Sequence, residues 1–460
     1  MAEQCNVNTS SMSTYQLENQ QLAEHFMENY FYKNFRLDKC ERQQDILKYS
    51  IELIISPECN LGCKYCYVHK HRKEIFPASC FDREKTIVNL KKILKWMDVN
   101  EFNCDLEIFS GELFGQEIGY EVMEIIYEWL KARPAEKRIE SVTIPTNFTW
   151  IMSDEHANKV EDLINRYEAL GVHLGLSASF DGKYMEQNRP YLPKGTDIPF
   201  SGVRDDAYYD KCFAFAKRNH CGFHPMVYSK GIKDWPKNFD WFQEKLAEYG
   251  FPWEMLYLLQ VRNEEWTAED IKDLVTFMEY LYEFAWDKVG HDPKALVSWI
   301  LETQGFNLLG ECYSTCGRGL TCGIQTQFGI RVSDLAIYPC HRLGYKDLYQ
   351  GFLVDDDEKV LTYKNINAEL LIATYTVDKE SLPYCAQCPI NALCTGQCLG
   401  ACYESNSNIF VPIPSVCAMH HAIALTGVRC LKKYGAFGIM LNKINETHKQ
   451  QLLFLEEHYA

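Results

Sequence analysis

From Tyr49 to Val261 the chain alternates between short apolar runs and longer stretches with apolar residues at helical spacing. The runs at Tyr49 to Ile55, Leu106 to Phe109, Ser141 to Ile144, His173 to Phe180, Gly222 to Tyr228 and Met255 to Val261 read as strands. Between them, Arg83 to Met97 puts Ile87, Leu90, Ile93, Leu94 and Met97 on one helical face. Helices are also predicted at Tyr120 to Ala132, His156 to Leu170, Tyr208 to Arg218 and Phe239 to Tyr249. Repeated βα units imply a parallel sheet with helices outside, closed or partly closed. About six such units fit before residue 285, so the expected class is α/β, a partial (β/α)6 TIM-like barrel with its sites on loops after the strands.

The remaining segments divide the chain further. Residues 1–48 are polar and read as an N-terminal helical extension, 49–285 as the barrel and 286–311 as a helical bridge. Residues 312–430 form a cysteine-rich domain, and 431–460 a C-terminal helix. A length of 460 residues exceeds what one core usually serves. The net charge of −16 argues against a general nucleic-acid binder, and no apolar run reaches membrane length. Twenty cysteines without a visible signal peptide point to metal binding or catalysis rather than disulfides, in a cytoplasmic, oxygen-poor setting.

The first predicted strand runs into Cys59-Asn60-Leu61-Gly62-Cys63-Lys64-Tyr65-Cys66. Thiolates are the soft ligands that iron–sulfur clusters require. A four-iron cubane on this C-x3-C-x2-C loop has one iron without a protein ligand, an open site for chemistry. A zinc knuckle is the other reading, although zinc sites usually bring four ligands, often in C-x2-C pairs. The spacing, with Tyr65 before the third cysteine, resembles the radical S-adenosylmethionine (SAM) superfamily. The resemblance implies a 4Fe–4S cluster that binds SAM at its open iron and cleaves it to a 5′-deoxyadenosyl radical. That radical abstracts hydrogen from a substrate.

Further segments match that family at later strand ends. Ser110-Gly111-Glu112 resembles its Gly-Gly-Glu segment, with Ser110 in place of the first glycine. There the backbone and the acid bind the SAM amino group. Thr146-Asn147 resembles the family's Thr-Asn segment, and Ser177-Ala178-Ser179-Phe180-Asp181-Gly182 its Ser-x-Asp-Gly segment. Arg189 follows, and in relatives a serine and an arginine here hold the SAM carboxylate or ribose.

A second array reads Cys316-x5-Cys322-x17-Cys340, then Cys385-x2-Cys388-x5-Cys394-x3-Cys398, then Cys417. It resembles the SPASM domain of peptide- and protein-modifying radical SAM enzymes, with a four-cysteine zinc ribbon as the alternative. The resemblance implies two auxiliary 4Fe–4S clusters. Carried over by position, one takes Cys316, Cys322, Cys340 and Cys398, the other Cys385, Cys388, Cys394 and Cys417. The family usually has glycine where Leu335 stands. Sulfatase-maturating members carry a catalytic aspartate where His341 stands, which weighs against formylglycine formation but leaves His341 a candidate base. Cys312 and Cys402 flank the array as alternative ligands, hydrogen donors or unligated core cysteines.

Many SPASM enzymes install crosslinks in ribosomally made peptides or invert their stereocentres. The resemblance therefore implies a precursor peptide substrate and an electron donor such as flavodoxin or ferredoxin. A sulfatase-type or small-molecule substrate is the alternative. The segment before Cys59 reads as helix rather than a β-wing, so a full leader-binding domain is not expected. A sheet edge that adds a peptide strand could replace it. Gly222 to Met226, Tyr257 and Gln260 are further candidates to line the barrel.

Overall fold

The computed structural model describes residues 14–37, 49–77, 81–198, 200, 202–313, 323–355 and 361–459. Its centre is a sheet that begins with β1 (Ser50–Ser56), β2 (Asp105–Ser110), β3 (Ser141–Thr146), β4 (His173–Ala178) and β5 (Gly222–Phe223), all parallel and adjacent in that order. The helices Arg83–Val99, Glu117–Ala132, Asp154–Ala169 and Asp206–Arg218 return the chain between these strands. Three start on a capping side chain, Asp82, Ser153 or Asp205, that accepts from an N–H of the first turn. Alternate strand residues, among them Ile51, Leu53, Leu106, Ile108, Val142, Ile144, Leu174 and Leu176, bury against those helices. The opposite set, including Glu107, Phe109, Thr143, Gly175 and Ser177, faces the barrel interior and keeps partial or full exposure. This period-2 split creates a concave polar wall below the strand ends.

The fifth and sixth strands are shorter than the apolar runs predict. The run from Gly222 is interrupted at His224-Pro225 and resumes as β6 (Met226–Val227); only β7 (Leu259–Gln260) of the run from Met255 is extended. Proline has no N–H for a ladder, and it falls at the break. The helical stretch after Ala268 is also two helices, Ala268–Lys288 and Pro293–Thr303. Between them Gly290 and His291 take φ of +70° and +61°, which ends a helix, and Asp292 caps the next.

The sheet does not stop at β1. Beyond it lies β8 (Gln327–Arg331), parallel to β1, followed by β9 (Ala336–Tyr338), β10 (Gly351–Asp355) and β11 (Leu361–Asn365) in an antiparallel meander. The helix Thr14–Met27 lies along the outer edge. There the Gln20 amide acts as a strand residue would: Asn365 N donates to its Oε1 at 2.7 Å and its Nε2 donates to Tyr363 O at 3.1 Å. Gln20 thus occupies part of the β11 edge.

Candidate functional site

The cysteine loop follows β1 and is pinned by a segment far along the chain. Gly62 N donates to Pro190 O, Lys64 N to Asn188 O and Leu192 N to Asn60 O, each at 2.7–2.8 Å. The turn behind it passes so close that a Cβ on Gly195 would lie 1.9 Å from Cys59 O. Sequence reasoning gave Gly195 no role; the approach is visible only in three dimensions. Cys59, Cys63 and Cys66 all line a cavity of ≈ 800 Å³ at the strand C-terminal ends. Tyr65, Ser110, Gly111, Asn147, Ser179 and Arg189 also line it.

The thiols are met by N–H donors. Arg189 Nε lies 3.3 Å from Cys63 Sγ, Leu61 N 3.4 Å from Cys59 Sγ, and Asn147 Nδ2 3.7 Å from the same sulfur. Burial, with the neighbouring thiols, pushes Cys66 up to about 11 and Cys59 higher still. Such thiols stay protonated until a cation replaces the proton, while the donors around them suit thiolate sulfur. The donor set fits an iron–sulfur cluster.

The remaining predicted residues fall into two groups. Ser110 bonds Ser56 O at 3.0 Å, and a Cβ on Gly111 would meet Glu58 O at 2.2 Å, so this strand end clamps the approach to Cys59. Glu112, expected to face the ligand, instead turns into the protein. It is fully buried and accepts from Asn147 N at 2.7 Å, Thr146 Oγ1 at 2.8 Å and Phe114 N at 3.3 Å. Burial outweighs these bonds and raises its carboxyl to about 7. Its visible role is to join β2 to β3 behind Asn147.

At the end of β4, His224 sits between two hydroxyls. Its Nδ1 is 2.5 Å from Ser177 Oγ and its Nε2 2.6 Å from Ser179 Oγ. Burial, aided by Arg189, lowers the imidazole to about 4, so it is neutral: one nitrogen donates and the other accepts. Tyr65 donates to Asp181 Oδ2 at 2.6 Å, and Arg189 bonds Ser179 O and approaches Asp181 Oδ1 at 3.7 Å. Of the other pocket candidates, Met226 lines the cavity, whereas Gln260 is buried against Glu311 and Tyr257 is 44% exposed.

His341 lies inside the barrel rather than at its mouth. Its backbone N is 2.5 Å from Glu52 Oε2, its Nδ1 bonds Glu52 Oε1, and its ring stacks on Phe109 at 4.2 Å. Burial would lower the imidazole, but Glu52 outweighs it and raises it. Glu52 is fully buried in β1 beside Gly329, whose missing side chain leaves room for it, and in register with Glu107. Sequence reasoning took this strand as apolar. A charge inside an apolar run was the signal available, and its partner is 289 positions away.

The second array is partly described. Cys316 and Cys322 lie outside the described residues, so only Cys340 and Cys398 of their proposed set can be placed. Cys385, Cys388, Cys394 and Cys417 line one cavity of ≈ 50 Å³, together with Cys402. Three of these sulfurs again have nitrogen neighbours, two of them N–H donors and the third an imidazole nitrogen. Gln397 Nε2 is 3.0 Å from Cys417, Gly396 N 3.3 Å from Cys394, and His421 Nε2 3.3 Å from Cys388. Among the described residues no His, Cys, Asp or Glu group converges tightly enough to hold a single metal ion. The five thiols around this cavity are soft donors of the kind an iron–sulfur cluster takes. Cys312 is buried beside Glu311 and Cys402 donates to Gln397 Oε1 at 3.5 Å. Leu335, where the family has glycine, takes φ of +61°, so the tight turn between β8 and β9 persists with a costlier residue.

No family model matches this chain, and no curated protein does. Solved structures do. A tagged form of the anaerobic sulfatase-maturating enzyme anSMEcpe with bound AdoMet is similar at a TM-score of 0.53 and 17% identity, over 90% of this chain and 100% of that one. The native form with AdoMet gives 0.53 at 19% identity, over 84% and 99%. The form with AdoMet and a peptide gives 0.50 at 17%, over 84% and 99%. The chain shares the fold of these structures. The Cys59–Cys66 loop, the strand-end motifs and the described part of the C-terminal array occupy one architecture, with both cysteine cavities inside it.

Proposed function

We propose that this chain is a radical SAM/SPASM enzyme that modifies a ribosomally made peptide, forming a thioether or carbon–carbon crosslink or a related change. One observation carries the reading: three thiols of one loop and the ends of four parallel strands enclose a cavity of ≈ 800 Å³, large enough for SAM and for a cluster that those thiols would hold. With cluster and SAM bound, the site would supply reductive cleavage of the sulfonium and a carbon-centred radical. Arg189 and Ser179 would hold the SAM carboxylate or ribose, and Asn147 and Gly111 would shape the wall. The Ser177–His224–Ser179 contacts fix which hydroxyl can donate into the cavity. The interior wall with Glu107, Phe109, Thr143 and His341 would receive the substrate. A neighbour of this fold binds AdoMet and a peptide together, which supports a peptide substrate here. Flavodoxin or ferredoxin would supply the electron, in the cytoplasm. None of the described helices is long and apolar enough to cross a membrane.

A sulfatase-type substrate is the second reading, favoured by the fold likeness and opposed by His341, tied to Glu52, in the aspartate position. Anaerobic reconstitution tests the class. About 12 iron atoms per chain are expected from one SAM-binding and two auxiliary clusters, with 5′-deoxyadenosine on reduction with SAM. Replacing Cys59, Cys63 and Cys66 with alanine should abolish that product and leave the auxiliary iron. Product surviving the triple change sinks the assignment. Mass spectrometry of a peptide encoded beside the gene and coexpressed with the enzyme separates crosslinking, which removes two hydrogens, from epimerisation, which leaves the mass unchanged.

A further inference from the structure

Gln397 presents a side-chain amide to one of the thiols around the smaller cysteine cavity. It stands in the loop between Cys394 and Cys398 and lines that cavity together with Cys417 and Cys402. Its Nε2 lies 3.0 Å from Cys417 Sγ, within donating distance of the sulfur. The only other N–H donor at these sulfurs named above is the backbone of Gly396, 3.3 Å from Cys394 Sγ, which a change of side chain at position 397 leaves in place.

What each end of the amide meets fixes its orientation. Nε2 donates to Ile413 O at 3.0 Å, and Oε1 accepts from Ile413 N at 2.6 Å. A backbone carbonyl only accepts and a backbone N–H only donates, so the reverse orientation would set donor against donor and acceptor against acceptor. Oε1 also accepts from the Cys402 thiol at 3.5 Å. The amide nitrogen has two hydrogens: one serves Ile413 O and the other is left for Cys417. A carboxamide does not titrate, so this assignment holds at any ordinary pH. Ile413 also caps the helix Pro414–Lys433, and its carbonyl accepts from Cys417 N at 3.0 Å. One residue therefore holds both the amide and the sulfur it faces.

Resting on the reading above, we propose that Gln397, locked by Ile413, donates a hydrogen bond from Nε2 to the Cys417 sulfur of the auxiliary cluster in this cavity and raises that cluster's reduction potential. A thiolate is a better acceptor than a thiol, so the bond strengthens when a cation replaces the Cys417 proton. One added electron makes a cluster more negative, and a donor at a ligand sulfur stabilises that reduced form, which moves the potential upward. Leu382, Ile390, Leu399 and Ile409 wall the cavity, and among apolar neighbours the amide dipole acts with little screening. Cys402, held through its hydrogen at the other end of the same amide, is the fifth thiol that a four-iron cluster does not need.

Redox titration followed by electron paramagnetic resonance tests this on the full-length, anaerobically reconstituted protein. Gln397→Leu keeps the bulk and removes the donor; it should lower the midpoint of one cluster and leave the other clusters and the iron content unchanged. Gln397→Glu removes the donor and adds negative charge, so the same cluster should fall further. Gln397→Asn draws the amide back by one methylene and should lie between wild type and Gln397→Leu. Midpoints in any other order, or unchanged, with full iron overturn the proposal. Loss of one cluster's iron from all three variants also overturns it, because the amide would then build the loop rather than tune the sulfur. If Gln397→Leu does not fold, Gln397→Asn and Gln397→Glu carry the comparison. A wild-type protein that takes up no cluster at all refutes the functional reading instead, before any variant is made.

Discussion

The two cysteine cavities solve different problems with one ligand chemistry. At the barrel mouth, three thiols share ≈ 800 Å³ with hydroxyls, amides and a guanidinium from four strand ends. In the C-terminal region, five thiols share ≈ 50 Å³ with Leu382, Ile390, Leu399 and Ile409 among their neighbours. With a cluster bound, the first would leave space and polar partners for a ligand beside it; the second would leave room for little beyond the cluster. Thiol count and cavity size vary together, and that pairing separates a site built for an exchanging ligand from one built to hold or pass charge.

The largest separation should come from removing one thiol on each side. Cys63→Ala is expected to lose roughly a third of the iron, one cluster in three, and to drop 5′-deoxyadenosine formation to background, with little change in melting temperature. Cys388→Ala should lose a similar share of iron while SAM cleavage persists, and the melting temperature should fall sharply because metal binding there is folding energy. Iron analysis and calorimetry on both variants check this. Equal melting temperatures would remove the distinction between the cavities.

The next test strains the loop without touching a ligand. In Gly195→Ala the new Cβ would sit 1.9 Å from Cys59 O, so the cysteine loop must move. Iron at the barrel mouth should fall severalfold while the auxiliary share stays. Gly171→Ala is the control: φ is +72° with nothing within 4 Å, so only ~1 kcal/mol of stability should be lost. If both variants keep full iron, the close approach does not shape the site.

This contrast also marks what the sequence could disclose. The cysteine spacings and the motifs after β1 to β4 were legible because reactive residue types at fixed separations follow strand ends. Gly195, Gln20 and Glu52 were not, since each is defined by a partner more than a hundred positions away. The inward turn of Glu112 was hidden for a related reason: the spacing put it at a strand end, but Thr146 and Asn147 at the end of β3 and Phe114 N offer it donors on the inner side. The short β5 to β7 were overestimated because apolar content marks burial, while His224-Pro225 breaks the ladder.

A smaller effect is expected at Arg189. Its guanidinium reaches Cys63 Sγ and Ser179 O at once, a fork that an ammonium does not reproduce. Arg189→Lys should weaken SAM binding by about 10- to 100-fold, ~1.4–2.8 kcal/mol, with auxiliary spectra unchanged. Isothermal titration with the reconstituted protein reads this directly, and an unaltered affinity removes Arg189 from the ligand wall.

The smallest effect lies on the interior wall. Burial first, then the nearby Glu52, raises Glu107 from 4.5 to about 7. An acid with a raised folded-state value binds its proton more tightly when folded, so stability is unaffected at low pH and declines as pH climbs from about 4.5 through about 7. Partial exposure limits the loss to the order of 2 kcal/mol. Glu107→Gln cannot ionise and should flatten that decline, which urea unfolding at a series of pH values measures. The barrel-mouth cluster and the auxiliary clusters should be untouched in iron content. A decline as steep in the variant as in the wild type would place the responsible proton elsewhere, with Glu112, raised to about 7 by its own burial, as the next group to replace.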